Sequence, residues 1–399
     1  MMSSALDVAR LRDETPGCHE VVHLNNAGAA LMPQPVIDAT IGHLQLEAKI
    51  GGYEAADEAA EQIQTTYDAS AKLVGAQPDE IAVVENATRA FDMVFYAIPF
   101  QPGDRILTSV SEYSSNVISY LQVAKKTGAV VEVVQNDEHG QLDVAALRNM
   151  MDQRVKLIAI SHIPTNGGLV QPVEEIGKVA READVLYLLD ACQSVGQLPL
   201  DVNAIGCDML SATSRKFLRG PRGVGFLYVR RGLSEQLEPP FLDNHAATWV
   251  DANTYEIRPD ARRFENWESN VAGKIGMGVA VEYALDVGIQ PGWERIQLLA
   301  DGLRERISAI EGVQVRDLGK QKCGIVSFTL DRIDSGSIME RMALHQVNVR
   351  TSSVFSTRYD MAARGVDLFV RASVHYYNTE AELDRMADVL ASMAGTIVM

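Results

Sequence analysis

The chain has 399 residues, 47% of them hydrophobic, which is enough for a sizeable buried core, and it carries a formal net charge of −17. That acidic balance offers no basic field to a nucleic-acid backbone or an anionic membrane surface, so neither nucleic acid nor membrane is expected as a partner. Residues 1–7 lack the basic stretch and apolar run of a secretory signal, and no apolar run reaches the roughly 20 residues that span a bilayer, so a cytoplasmic location is expected.

From about residue 80 to 230, short runs rich in Val, Ile and Leu alternate with longer segments of helical period, the pattern of a parallel β/α architecture. Strands are predicted at 81–84, 105–109, 130–134, 156–160, 185–189, 209–212 and 224–229. Helices at 87–98, 115–126, 144–150 and 173–182 supply the crossovers that parallel strands require. After about residue 265 the pattern changes to long helices near 273–287 and 296–310, strands near 324–330 and 347–349, and a closing helix near 380–393. The division expected from this is a large α/β cofactor-binding domain over 26–265 and a smaller α+β domain built from 1–25 and 266–399. Cys18, Cys192, Cys207 and Cys323 are far apart and form no CxxC pair or metal-ligand spacing, so neither a disulfide framework nor a metal site is predicted.

The most informative stretch is Val185-Leu-Tyr-Leu-Leu-Asp190-Ala-Cys-Gln193, followed by Ser211-Ala-Thr213-Ser-Arg215-Lys216 and the turn Arg219-Gly-Pro-Arg222-Gly-Val-Gly225. A strand ending in Asp190 puts a carboxylate in the crevice at the carboxyl ends of the sheet, where open α/β folds bind ligands. A second strand ending just before Lys216 aims an amine into the same crevice. That pair suits pyridoxal phosphate, whose Schiff base needs an amine and whose pyridine nitrogen stays protonated beside a carboxylate. Glu85-Asn86-Ala87-Thr88 lies where a strand gives way to a helix, so free N–H groups and the positive helix end can meet a phosphate. Asn86 equally suits an ordinary helix cap. The glycines of the Arg219–Gly225 turn permit tight backbone, and whether Arg219 or Arg222 meets a second acidic group on substrate is left open.

From His23-Leu-Asn-Asn26-Ala-Gly28 to Tyr377-Asn378-Thr379-Glu380 the sequence closely resembles the class V aminotransferase family, in its cysteine desulfurase and selenocysteine lyase-like branch. The resemblance implies the fold-type I architecture of pyridoxal-phosphate transferases, with a large, mostly parallel seven-stranded sheet domain plus a smaller α+β domain. It also implies pyridoxal 5'-phosphate as cofactor, an amino-acid substrate, and a homodimer with the active site at the subunit interface. Lys216 matches the Schiff-base lysine, Asp190 the pyridinium partner, and Gln193 the side chain near the cofactor's phenolic oxygen. Asn86, Ala87, Thr88, Thr213 and Arg215 match positions around the phosphate, and Ser269 one that reaches the partner subunit's phosphate. Asn166 matches a contact to the phenolic oxygen, with Thr165 as the alternative. Arg371 matches the arginine that grips the α-carboxylate, a role suited to a guanidinium fork. Arg350 is a second candidate at the mouth of the site, and Asn26, Tyr53, Trp249 and Trp267 are candidates for the substrate side.

Two departures bear on the reaction. Tyr113 stands where desulfurases carry a His that stacks on the cofactor and moves protons; its ring can still stack, but a phenol is a poor acid or base near neutrality. Phe355, in Arg350-Thr-Ser-Ser-Val-Phe355-Ser356, falls about where those enzymes carry the Cys that accepts sulfur as a persulfide. Such a relay requires an accessible, nucleophilic sulfur, and Cys192 and Cys323 read as small buried hydrophobes. The expected activity is therefore a C–S β-lyase acting on cysteine, cystine or a cysteine S-conjugate by β-elimination, with Lys216 and Tyr113 as the catalytic groups. A class V aminotransferase or an amino-acid epimerase would use the same Lys, Asp and Arg, and a persulfide-relay desulfurase ranks behind these. A silent scaffold is disfavoured because Lys216 and Asp190 are both present.

Overall fold

The computed structural model describes residues 6–395; residues 1–5, within the segment read above for a secretory signal, and residues 396–399 lie outside the described part. The chain opens with helix α1 (Val8–Asp13), strand β1 (Val22–His23) and helices α2 (Gln34–Ile50), α3 (Gly52–Glu58) and α4 (Ala60–Val74). The β/α region follows as β2 (Ile81–Val84), α5 (Ala87–Phe95), β3 (Arg105–Ser109), α6 (Ser114–Thr127), β4 (Val130–Val134), α7 (Val144–Asn149), β5 (Val155–Ser161), α8 (Val173–Glu182), β6 (Leu186–Asp190), α9 (Val202–Ile205), β7 (Met209–Thr213) and β8 (Gly225–Val229).

These seven strands form one sheet in the order β2-β8-β7-β6-β5-β3-β4. Strands β4, β3, β5, β6 and β7 run parallel, whereas β8 is antiparallel to both β7 and β2. The expected α/β sheet is thus present, with every predicted strand within one residue of its observed start and end. The period of two explains why the runs are apolar throughout: Leu157 and Ala159 feed one buried layer while Ile158 and Ile160 feed the layer on the other face.

Past a hairpin of β9 (Ala247–Asp251) and β10 (Thr254–Ile257), the chain forms α10 (Val271–Val287), α11 (Ile289–Ser308), β11 (Val313–Val315), β12 (Ile325–Leu330), α12 (Ser335–Leu344), β13 (Val347–Asn348), β14 (Arg350–Ser353), α13 (Arg358–Ala363), β15 (Leu368–Ser373) and α14 (Glu380–Gly395). A second, antiparallel sheet has the order β11-β12-β15-β14. The N-terminal segment joins this region, because β1 pairs parallel with β13 and Asn25 bridges Ser373. Helix α11 begins seven residues before its predicted start, since Pro291 falls in its first turn, where a missing N–H costs no helical bond. Among the described residues no helix is long and apolar enough to cross a membrane, and no group of His, Cys, Asp and Glu could hold a metal.

Candidate active site

Parallel strands deliver their last residues to one edge, and the register here places Ser161 of β5 beside Asp190 of β6, and Asp190 beside Ser211 of β7. Asp190 is thus the last residue of a buried strand rather than a surface carboxylate. Its Oδ1 accepts from the Cys192 backbone N–H at 2.9 Å and its Oδ2 from Asn116 Nδ2 at 3.0 Å. Lys216 lies in the bend after β7, and the turn that follows is held by Arg219 N–H donating to the Lys216 carbonyl at 2.9 Å. Gly225 opens β8 because a Cβ there would stand 2.4 Å from the Ala212 carbonyl oxygen, so the loop carrying Lys216 returns tightly onto the sheet.

Asp190 and Lys216 line one cavity of about 340 Å³, together with Glu85, Asn86, Ala87, Thr88, Tyr113, Thr165, Gln193, Thr213, Arg215 and Arg222. Burial pulls the Lys216 amine below its ordinary pKa, with the Arg215 guanidinium pushing in the same direction. Asn86 caps α5, its side chain accepting from the Arg89 N–H at 2.9 Å, so the first turn of that helix opens onto the cavity. Arg215 donates to Thr213 Oγ1 at 3.1 Å, and both line the same cavity. Tyr113 precedes α6 and faces the same space.

Arg371 sits on β15, where two bonds of 2.8 Å from one guanidinium nitrogen to Thr165, at its carbonyl and its hydroxyl, fix it against a cavity residue. Its buried Nε has no partner, and neither has the buried Oε1 of Gln193, whose Nε2 donates to the Ala27 carbonyl at 3.1 Å. Polar atoms left so are uncommon in a folded interior and point to a polar guest. Burial lowers the Arg371 pKa to about 10, which still leaves the guanidinium charged at neutral pH.

Seven of the expected or candidate site residues stand elsewhere. The Asn166 amide turns away to the buried Asp360 carboxylate at 2.7 Å, and its neighbour Thr165 faces the cavity. Asn26 is fully buried and spent on structure, donating to the Ser373 carbonyl at 2.7 Å and accepting from the Tyr377 hydroxyl. Arg350 is exposed on β14, one strand away from Arg371 in direct register, with Met339 Sδ as its neighbour. Ser269 lines a separate small cavity that shares Glu85 and Gly223 with the first. Tyr53, Trp249 and Trp267 are exposed and line neither. Conversely, Cys192 lies on the cavity wall rather than in the apolar interior, although burial and the Asp190 carboxylate both push its thiol well above the usual range.

Residue-by-residue reading passed over Glu112, Asn116 and Ser161. The signal was present in the spacing, because Glu112 and Asn116 are one helical turn apart and Ser161 ends the strand beside Asp190. Arg219 also has a structural place: it is buried, donating to the Leu31 carbonyl at 2.9 Å, the Tyr376 hydroxyl at 2.9 Å and Thr15 Oγ1 at 2.5 Å.

The fold has counterparts among known proteins. A probable cysteine desulfurase of Methanothermobacter thermautotrophicus is 29% identical over 391 residues, which cover 96% of this chain and 98% of that protein. The apo structure of cysteine desulfurase from Thermococcus onnurineus NA1 matches with a TM-score of 0.91 at 25% identity, over 99% of this chain and 100% of that one. The cystine C–S lyase C-DES, solved with its reaction product cysteine persulfide, matches with a TM-score of 0.84 at 23% identity, over 94% and 99% of the two chains, and so shares the fold. The architecture is that of fold-type I pyridoxal-phosphate transferases. The aminotransferase class-V model matches residues 22–386, and the chain belongs to that family.

Proposed function

We propose that this protein is a pyridoxal-phosphate-dependent C–S β-lyase acting on cysteine, cystine or a cysteine S-conjugate. The observation that carries the reading is a cavity uniting the Lys216 amine and the Asp190 carboxylate, with Arg371 held against its wall, beside a 350–357 segment that contains Phe355 and no thiol. That segment is tied to the cavity by the Ser114 N–H donating to the Ser356 carbonyl at 2.9 Å, at the start of the helix Tyr113 precedes.

The family uses pyridoxal phosphate, and the residues present fit it: an amine, a carboxylate across the cavity, a capped helix end with Thr88, Thr213 and Arg215 for a phosphate, and two polar atoms without partners. When bound, the group supplies an aldehyde that condenses with amines and a pyridinium ring that withdraws electrons from the substrate Cα. Lys216 holds it and serves as base at Cα, and its lowered pKa favours the free amine that both tasks need. Asp190, fixed through both oxygens by Asn116 and the Cys192 N–H, keeps a proton on the ring nitrogen. Arg371 would orient the α-carboxylate, and Tyr113, on the cavity wall, would offer its ring to the cofactor. For cystine the balance consumes one water and yields pyruvate, ammonia and cysteine persulfide.

A second reading, a cysteine desulfurase, draws on the relatives' names and on Cys192 at the cavity wall. Against it, burial keeps that thiol protonated, and the thiolate is the sulfur nucleophile.

The test is to incubate the protein with cysteine, cystine, cysteine S-conjugates and other α-amino acids and to follow pyruvate, ammonia, sulfide, alanine and keto acids. Pyruvate formed without any added keto acid is the expected result. Alanine with a persulfide on the protein would make it a desulfurase. A product seen only when a keto acid is supplied would make it an aminotransferase, and racemised substrate alone an epimerase.

A further inference from the structure

We infer that Glu112 is a positioning residue for Asp190, a second buried carboxylate that orients it through Asn116 and strengthens the hold of the site on a proton at the ring nitrogen. The inference rests on the reading of Asp190 as the partner of that nitrogen.

Glu112 lies in the loop between β3 and α6, behind the cavity wall. It accepts five hydrogen bonds: from Ser161 Oγ at 2.6 Å, the Tyr113 N–H at 2.8 Å, Asn116 Nδ2 at 2.9 Å, the Ser161 N–H at 2.9 Å and Thr108 Oγ1 at 3.1 Å. All these partners donate, which offsets part of the cost that burial puts on ionising the carboxylate. Asn116 splits its two N–H bonds between Glu112 and Asp190 Oδ2, the latter at 3.0 Å. With a carboxylate on each side, the amide cannot turn its oxygen inward, so Glu112 fixes Asn116 and Asn116 fixes Asp190. The Ser161 hydroxyl has one proton, given to Glu112 at 2.6 Å rather than to Asp190 at 3.5 Å.

The titratable groups facing Glu112 are Asp190 and Tyr187 on β6 and Tyr120 on α6. Among the described residues no ion pair includes Glu112 or Asp190. Lys216 is the cation that faces Asp190 in the cavity, and among the same residues none faces Glu112, so a protonated ring nitrogen adds the positive charge that this pair of buried carboxylates favours. Burial raises the Glu112 pKa to about 7, with Asp190 adding to the rise, so the second charge develops through neutrality and is full above it.

The test loads wild-type protein, E112Q and D190N with ring-¹⁵N-labelled pyridoxal 5'-phosphate and follows the nitrogen resonance by NMR as pH is raised. Removing a charge at this distance in a partly buried site should lower the midpoint of ring deprotonation in E112Q by about one pH unit, while D190N loses the proton throughout. If E112Q tracks wild type while D190N loses the proton, the role of Glu112 is overturned and that of Asp190 stands. If D190N also tracks wild type, or the wild-type protein takes up no cofactor, the underlying reading falls instead, and this inference with it. Should E112Q fail to fold, S161A takes the shortest donor from Glu112 and leaves the bonds of Asp190 to Asn116 and Cys192 in place. It must move the midpoint in the same direction, and an unmoved midpoint overturns the proposal.

Discussion

A guanidinium acts on a carboxylate through its direction as much as its charge. Arg371 is held by Thr165 at one nitrogen, which leaves Nε and the other end of the fork for a guest. Arg371→Lys keeps a charge and loses the fork, so KM for the amino acid should rise about tenfold or more, with a smaller change in kcat. Exposed Arg350, replaced by Leu, should change KM little; steady-state kinetics on both variants checks the contrast. Residue type and motif position were enough to bring Lys216, Asp190 and the helix start at Asn86 to one cavity and Arg371 to its neighbour Thr165. They were not enough for Asn26 and Asn166, because sequence position gives a polar group without its direction, and both amides are consumed by partners hundreds of residues away in one case and 194 in the other.

Glu112 also predicts a pH dependence of stability. Its folded pKa of about 7 lies above the ordinary 4.5, so the folded state binds this proton more tightly than the unfolded chain does. Its contribution to stability is therefore full below pH 4.5 and is lost as pH rises through 7, a change of about 3 kcal/mol. E112Q cannot ionise, so in cofactor-free protein its stability relative to wild type should climb across that window. Denaturant unfolding at pH 4.5, 6 and 8 measures the climb, and parallel curves for the two proteins would count against a buried, titrating carboxylate.

At the scale of elements, the loop after β7 decides where the Lys216 amine points. Arg219, next in that loop, adopts φ +63°, a backbone conformation uncommon for residues other than glycine, and is held there by its side chain. The guanidinium lies 4.6 Å from the Tyr377 ring centroid, 5.4 Å from Tyr376 and 5.6 Å from Tyr283, and its bond to Thr15 ties the loop to the N-terminal segment. Arg219→Leu leaves the strained backbone and removes all three hydrogen bonds, so it should destabilise the protein by about 3 kcal/mol. Thermal unfolding checks this, and an unchanged melting temperature would remove the loop-anchoring role. The strands of the large sheet were legible because burial on both faces makes them continuous apolar runs bounded by turns. Strand β15 and the β9–β10 hairpin were not: Arg371 interrupts the apolar run of β15, and the hairpin residues Thr248–Asp251 are exposed, so neither carries that signature.

At the scale of the whole molecule, the sheet edge and its cavity followed from strand order, but the surface facing other molecules did not. Tyr53 is 72% exposed, Trp249 79% and Trp267 54%, and Phe241 and Tyr255 are exposed as well. Trp249 and Tyr255 pair across the β9–β10 hairpin, and such large aromatic residues are costly to leave in water, which supports burial of that face against a second copy. Ser269, two residues past Trp267, lines the small cavity that adjoins the main one through Glu85 and Gly223, so a partner packed on Trp267 would also cover the phosphate side of the site. Sedimentation should therefore give twice the chain mass of 43.6 kDa at micromolar concentration. Trp249→Glu, which adds a charge to the hairpin face, should shift the protein towards one chain and weaken retention of pyridoxal 5'-phosphate on dialysis. If that variant sediments as a single chain yet keeps the cofactor as wild type does, the cavity is complete within one chain and the partner contributes nothing to it. A wild-type protein that sediments as a single chain would remove the dimer itself.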